Sequence, residues 1–141
     1  MLQAHVSAGI LLFTADNWYN VNAMSLFNWT IEVGSADGSI FESVELLVDT
    51  GSTYTWLPKE LAARLGLSVT GKRRLRLADG SEVFREGVDA YVKINGERHF
   101  NFCLLAEAND AVLLGSVTLE TFSLGVDPVN KKLVPVVSSA V

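Results

Sequence analysis

The sequence predicts an all-β fold, a small closed barrel of short strands with one or two short helices. Apolar and polar residues alternate at period two over several short runs, as in half-buried strands. Turn dipeptides, Asp37-Gly38, Asp79-Gly80 and Asn95-Gly96, punctuate those runs. Only two stretches, around residues 58–66 and 117–122, carry helix signals instead. Many short strands with turn glycines are the pattern of a closed or folded-over barrel.

At 141 residues and 49% hydrophobic composition, the chain buries roughly two-thirds of its unfolded surface, which suits one domain rather than two. Regular alternation begins only after Met24. That residue reads as the natural start of a domain over 24–141, and residues 1–23 as an extension upstream of it. The apolar patch at 9–13 has no preceding Lys or Arg, so it makes a poor signal peptide. No run of 18 apolar residues exists to span a membrane. The net charge of −5 argues against nucleic acid or an anionic membrane as partner. Lys72, Arg73, Arg74 and Arg76 form the one basic cluster, read as a solvated strand end rather than a phosphate site. Cys103 is the only cysteine, which rules out an intrachain disulfide and favours a reducing, cytoplasmic compartment.

In chain order, Phe27, Trp29, Ile31 and Val33 alternate with polar residues, and the turn 36–39 closes a hairpin onto a second strand ending at Val48. Pro58 opens a short helix, Leu61 and Leu65 give it one buried face, and Gly66 stops it. Leu75, Leu77 and Val83 flank Asp79-Gly80, a dipeptide suited to a two-residue hairpin turn with positive φ at both positions. A second hairpin turns at Asn95-Gly96, joining Val88, Ala90, Val92 and Ile94 to a strand whose apolar face reads as Phe100, Phe102 and Leu104. His99, Asn101 and Cys103 then share the opposite face, where surface or packing groups are the better reading than a Cys-His nucleophile. Val112-Leu113-Leu114-Gly115 is a short buried strand ending at glycine, followed by a helical turn or two. Two last strands flank the turn at 128–130, with Pro135 at an edge or terminal position.

The chemistry centres on Asp49-Thr50-Gly51-Ser52, placed where the apolar run Val44, Leu46, Leu47, Val48 ends. Such a strand delivers a carboxylate onto a tight turn, with Gly51 allowing close backbone approach and Thr50 offering a hydroxyl and an amide. A phosphotransfer Asp needs a second carboxylate two residues on to share Mg²⁺, and position 51 is Gly. No nucleotide-binding or zinc motif occurs, so neither a metal nor a cofactor is expected. An inert barrel with Asp49 as a turn former is the bland alternative.

With an apolar-apolar-Gly segment downstream (Leu113, Leu114, Gly115) and a short helix after it, the Asp-Thr-Gly-Ser loop resembles that of the retropepsin-like aspartic proteases, and the resemblance spans roughly 27–137, nearly the whole domain. The resemblance implies a single-lobe acid-protease barrel in which Leu113-Leu114-Gly115 supports the catalytic loop. It makes the hairpin around Ala78, Asp79, Gly80 and Ser81 the flap that closes over an extended peptide or protein substrate. Aspartic proteolysis needs two carboxylates sharing a proton, and the sequence holds one such triplet, so the second Asp49 is expected from a second copy in a homodimer. Thr50 would then bond across the dimer axis. Ser52, a residue found there in the pepsin-like branch, is expected to place its hydroxyl on the carboxylate, lower the pKa of the pair and give an acidic optimum. The alternative function is a catalytically silent, protease-like dimer that binds peptides or protein partners. The helix at 58–65, between the catalytic loop and the flap, resembles cellular and bacterial relatives more than viral ones.

Overall fold

A computed structural model describes residues 26–140, so the expected extension at 1–23 and the expected start at Met24 lie outside the described residues. Strands β1 (Asn28–Gly34) and β2 (Phe41–Val48) form the first hairpin, in register from Asn28↔Leu47 to Gly34↔Phe41. In its loop the Asp37 carboxylate accepts from Ser35 Oγ at 2.8 Å and Ser39 N at 3.0 Å, while Gly38 takes φ +71°. These side-chain bonds replace backbone ones where the chain reverses. Strand β3 (Trp56–Pro58) leads into helix α1 (Lys59–Arg64), which buries Leu61 and stops at Gly66, φ +68°. Strands β4 (Val69–Arg76), β5 (Glu82–Ile94), β6 (Glu97–Ala106) and β7 (Leu113–Leu114) follow, then helix α2 (Ser116–Thr121). The chain closes with a separate ribbon of β8 (Leu124–Asp127) and β9 (Lys132–Pro135), where Pro135 is the last strand residue.

The main sheet has the order β1-β2-β7-β3-β6-β5-β4, and β1 also pairs with β5 through Glu32↔Lys93 and Val33↔Val92. Pairings therefore run in a ring through β1, β2, β7, β3, β6 and β5, with β4 hung on β5 as an edge. Inside lie Ile31, Val33, Leu46, Val48, Val88, Ala90 and Val92, each at most 4% exposed. A second apolar layer of Trp56, Leu104, Ala106 and Leu113 packs with Leu75 of β4 and Tyr54 of the Asp49 loop. Residues 103–106 of β6 are buried on both faces because the strand runs between the two layers.

Two hairpin expectations need correction. The Asn95-Gly96 turn is the expected two-residue form, with φ +53° and +83°. The Asp79-Gly80 turn is not: Leu77 and Ser81 pair as Leu77 N to Ser81 O, Gly80 N donates to Leu77 O, and only Gly80 (φ +89°) is left-handed. That is a three-residue loop, Ala78-Asp79-Gly80, in which Asp79 Oδ1 accepts from Ser81 N at 2.9 Å and so has no need of positive φ. The second correction concerns β6. The tight turn sets Val92↔His99, Ala90↔Asn101 and Val88↔Cys103 opposite one another. Directly opposed residues share a face, so Asn101 and Cys103 point to the core and Phe100 is 52% exposed outside. Burial pushes the Cys103 thiol up to about 12, with Asp89 adding to the effect, and His99 Nε2 meets Glu97 Oε2 at 2.6 Å. A buried, protonated thiol is not a nucleophile.

Among the described residues every strand lies within 28–135. A chain of residues 24–141 is accordingly expected to fold alone, keeping the strand-rich circular dichroism of the full chain and a midpoint within a few degrees of it. An unfolded or insoluble truncation would contradict this.

Candidate active site

The Asp49 loop spans the gap between β2 and β3, and β7 holds it from beneath. The end of β2 and β7 run parallel, with Leu47↔Leu113 and Val48↔Leu114. The ladder continues one residue past β2, where Asp49 N donates to Leu114 O at 3.0 Å. Strand, loop and supporting segment are therefore one hydrogen-bonded unit. Beyond β7 the chain stays against the loop: Ser116 N donates to Ser52 O at 2.8 Å and Val117 N to Thr53 O at 3.0 Å. Gly115 sits between them with backbone on both sides. A Cβ there would lie 2.9 Å from the Ser52 carbonyl oxygen and closer still to the Tyr54 carbonyl. Only glycine fits, for reasons of space rather than of φ.

Two residues that sequence pattern does not single out complete this support. Thr55 Oγ1 and Thr118 Oγ1 meet at 2.6 Å, and Thr55 Oγ1 also accepts from Gly115 N at 3.0 Å. Both threonines are at most 1% exposed, and buried hydroxyls left unpaired are costly. The pair locks β3, Gly115 and α2 together.

Asp49 itself is partly buried. Its Oδ1 accepts from Gly51 N at 2.9 Å, while Oδ2 is buried without a hydrogen-bond partner among the described residues. Burial pushes the Asp49 carboxyl above the usual carboxylate range, against the opposing pull of the Gly51 and Ser52 N–H groups. The expected bond from the Ser52 hydroxyl is absent. Ser52 is 1% exposed and its Oγ donates to Tyr54 O at 2.8 Å. Its side chain braces the loop, so the hydroxyl does not lower the Asp49 pKa and gives no reason for an acidic optimum. Thr50 and Gly51 are exposed at the loop's outer edge.

A cleft of about 340 Å³ opens between this loop and the β4 arm, lined by residues 51–54 and Trp56 on one side and residues 74–78 on the other. Of the four expected flap residues, Ala78 lines the cleft. Asp79, Gly80 and Ser81 form the hairpin tip beyond it. The arm is fixed to the loop by Arg73, whose Nε donates to the Tyr54 hydroxyl at 3.1 Å and whose guanidinium lies 4.4 Å from the Phe102 ring centre. Phe102 in turn fills the space left by Gly87, where any Cβ would overlap its ring. From the other strand of the arm, Arg85 binds Asp110 with both carboxylate oxygens, at 2.6 and 3.0 Å. Asp110 is 3% exposed and also accepts from Glu107 N. This pair ties the arm to the loop preceding β7.

The fold thus sets a carboxylate on a braced turn, beside a cleft flanked by a β-hairpin. The sequence family described as aspartyl protease matches residues 31–125, and the chain belongs to that family. Among solved structures, EIAV protease complexed with the inhibitor HBY-793 aligns at TM-score 0.52 and 17% identity, over 69% of this chain and 88% of that one. At that identity the likeness establishes a shared retropepsin-like fold. A retropepsin-like aspartic protease from Rickettsia conorii aligns at TM-score 0.44 and 23% identity, covering 73% and 88%. The retroviral protease-like domain of Ddi1 from Leishmania major gives 0.47 and 16%, covering 75% and 86%. A search of curated proteins finds no significant sequence match.

Gly115→Ala is expected to destabilise the protein by about 3 kcal/mol in denaturant unfolding, because backbone rather than a movable side chain stands in the way. A midpoint equal to the parent's would show that the loop can yield.

Proposed function

We propose that this chain is an aspartic endopeptidase, active as a homodimer in which Asp49 of each copy contributes to one site. The observation that carries the reading is the Asp49 carboxyl: partly buried, raised in pKa, held through Oδ1 by Gly51 N, with Oδ2 free of described partners. Two such carboxyls brought together about 3 Å apart cannot both ionise and share one proton. The ionised partner takes a proton from water as it attacks the scissile carbonyl carbon. The protonated partner gives its proton to the carbonyl oxygen, yielding a neutral tetrahedral diol. Transfer of a proton to the leaving nitrogen then breaks the C–N bond.

On this reading the second carboxyl comes from a second copy, since residues 1–141 hold a single Asp-Thr-Gly. Thr50, exposed beside Asp49, is placed on this reading to bond across the twofold axis. The hairpin at 78–81 closes over an extended peptide, and β4, an edge strand, offers backbone groups for strand addition. The loop residues Thr50, Gly51 and Ser52 and the segment Leu113-Leu114-Gly115 act by position, holding the carboxylate rather than reacting.

Asp49→Asn keeps an oxygen for Gly51 N and nearly the same shape, so the fold should survive. Hydrolysis of a denatured protein such as casein is expected to fall by about 10²–10⁴-fold or more, through loss of both acid and base. A purified Asp49→Asn protein that cleaves as fast as the parent would overturn the assignment. Specific binding of peptides by a parent protein that cuts none of them would favour a silent, peptide-binding dimer.

A further inference from the structure

The cleft wall formed by β4 differs in charge from the chain as a whole. The chain carries −5, yet among the described residues lining the cleft the charged side chains are Arg74 and Arg76. Two apart on a strand, they project to one face, while Leu75 and Leu77 project to the other. Leu75 packs there with Trp56, Leu104 and Leu113. One carboxylate serves both arginines: Glu82 Oε1 lies 3.6 Å from Arg74 Nε, and Glu82 Oε2 lies 3.1 Å from Arg76 Nη2. Two guanidinium groups against one carboxylate leave a positive charge unbalanced, on side chains 67% and 73% exposed. Arg73 adds a second, since its hydrogen bonds go to the neutral Tyr54 hydroxyl and Lys72 O. Asp79 at the hairpin tip keeps its negative charge, but its Oδ1 accepts from Ser81 N and Oγ, and the ion pairs of Arg74 and Arg76 among the described residues go to Glu82 instead.

A peptide laid along the free edge of β4 alternates its side chains as β4 does, one set beside Arg74 and Arg76 and the next beside Leu75 and Trp56. We propose that the cleft selects extended peptides in which an acidic side chain neighbours an apolar one, the carboxylate being held by Arg74 and Arg76. This deepens the peptide-cleaving reading and rests on it for the identity of the cleft. Guanidinium groups suit the role because their planar donor pairs match a carboxylate.

The test uses fluorescein-labelled octapeptides with a common apolar centre and either Glu or Gln at each flanking position. They are titrated by anisotropy against the full-length Asp49→Asn protein, so that binding is read without cleavage. At one position Glu should bind roughly three- to tenfold more tightly than Gln. The preference should shrink as salt rises from about 50 to about 500 mM. In the Arg74→Gln/Arg76→Gln double variant the Glu-to-Gln ratio should fall close to one, and in Glu82→Gln, which frees the second guanidinium, it should rise. Equal binding of Glu and Gln peptides at every position, no binding at all, or a Glu preference unchanged in the double variant would overturn the proposal. Hydrolysis by the parent is scored separately: cutting without Glu preference overturns this inference alone, and Glu preference without cutting overturns the peptidase reading alone.

Discussion

The contact on which the site depends is backbone against backbone, where the chain from Leu114 to Val117 passes beneath residues 49–55. Three backbone hydrogen bonds cross this junction, from Asp49 N, Ser116 N and Val117 N, and Gly115 N adds a fourth to the Thr55 hydroxyl, so that each fixes part of the loop to β7 or α2. Their geometry needs an approach that a single Cβ at Gly115 would block. A carboxylate held this way has little freedom to move toward solvent, which is why a turn residue can remain partly buried with a raised pKa. Preorganisation of this kind comes from rigid elements placed on both sides of the loop.

The second constraint is the length of β5. Its 13 residues serve two hairpins at once, pairing with β4 over 82–88 and with β6 over 87–94. The cleft arm is thus an extension of a core strand rather than an independent lobe. Three contacts tune how it sits: Phe102 against Gly87, Arg73 on Tyr54, and Arg85 on Asp110. The last is the most buried ion pair among the described residues, at 16% and 3% side-chain exposure. Loss of Arg85 would strand the Asp110 carboxylate without its cation, a change that is severe for buried pairs.

Much of this was legible in the sequence because it rests on local signals. Alternation located β1 and the last part of β5, an apolar run located the end of β2, Pro58 and Gly66 bounded α1, and Asp49-Thr50-Gly51 with Leu113-Leu114-Gly115 marked the two halves of the braced loop. The errors came from long-range or side-chain competition. Apolar Phe100 and Phe102 suggested the core face of β6, although a two-residue turn at Asn95-Gly96 already forces odd positions of β6 opposite the buried even positions of β5. That register rule was available and outweighs hydrophobicity. Asp79 looked like a left-handed turn residue, but its own carboxylate satisfies the turn in another way. Ser52 had two acceptors within reach of its hydroxyl, and only the fold shows that Tyr54 O takes the bond. The Thr55–Thr118 pair is 63 residues apart in the chain and has no periodic or motif signature.

The account turns on whether one reactive centre is built from two chains. Calorimetric titration of the full-length protein with a statine-type peptide mimic of the tetrahedral intermediate measures this directly as a stoichiometry. The account predicts one mimic bound per two chains, with binding lost in Asp49→Asn. Saturation at one mimic per chain, or unchanged affinity in Asp49→Asn, would contradict it.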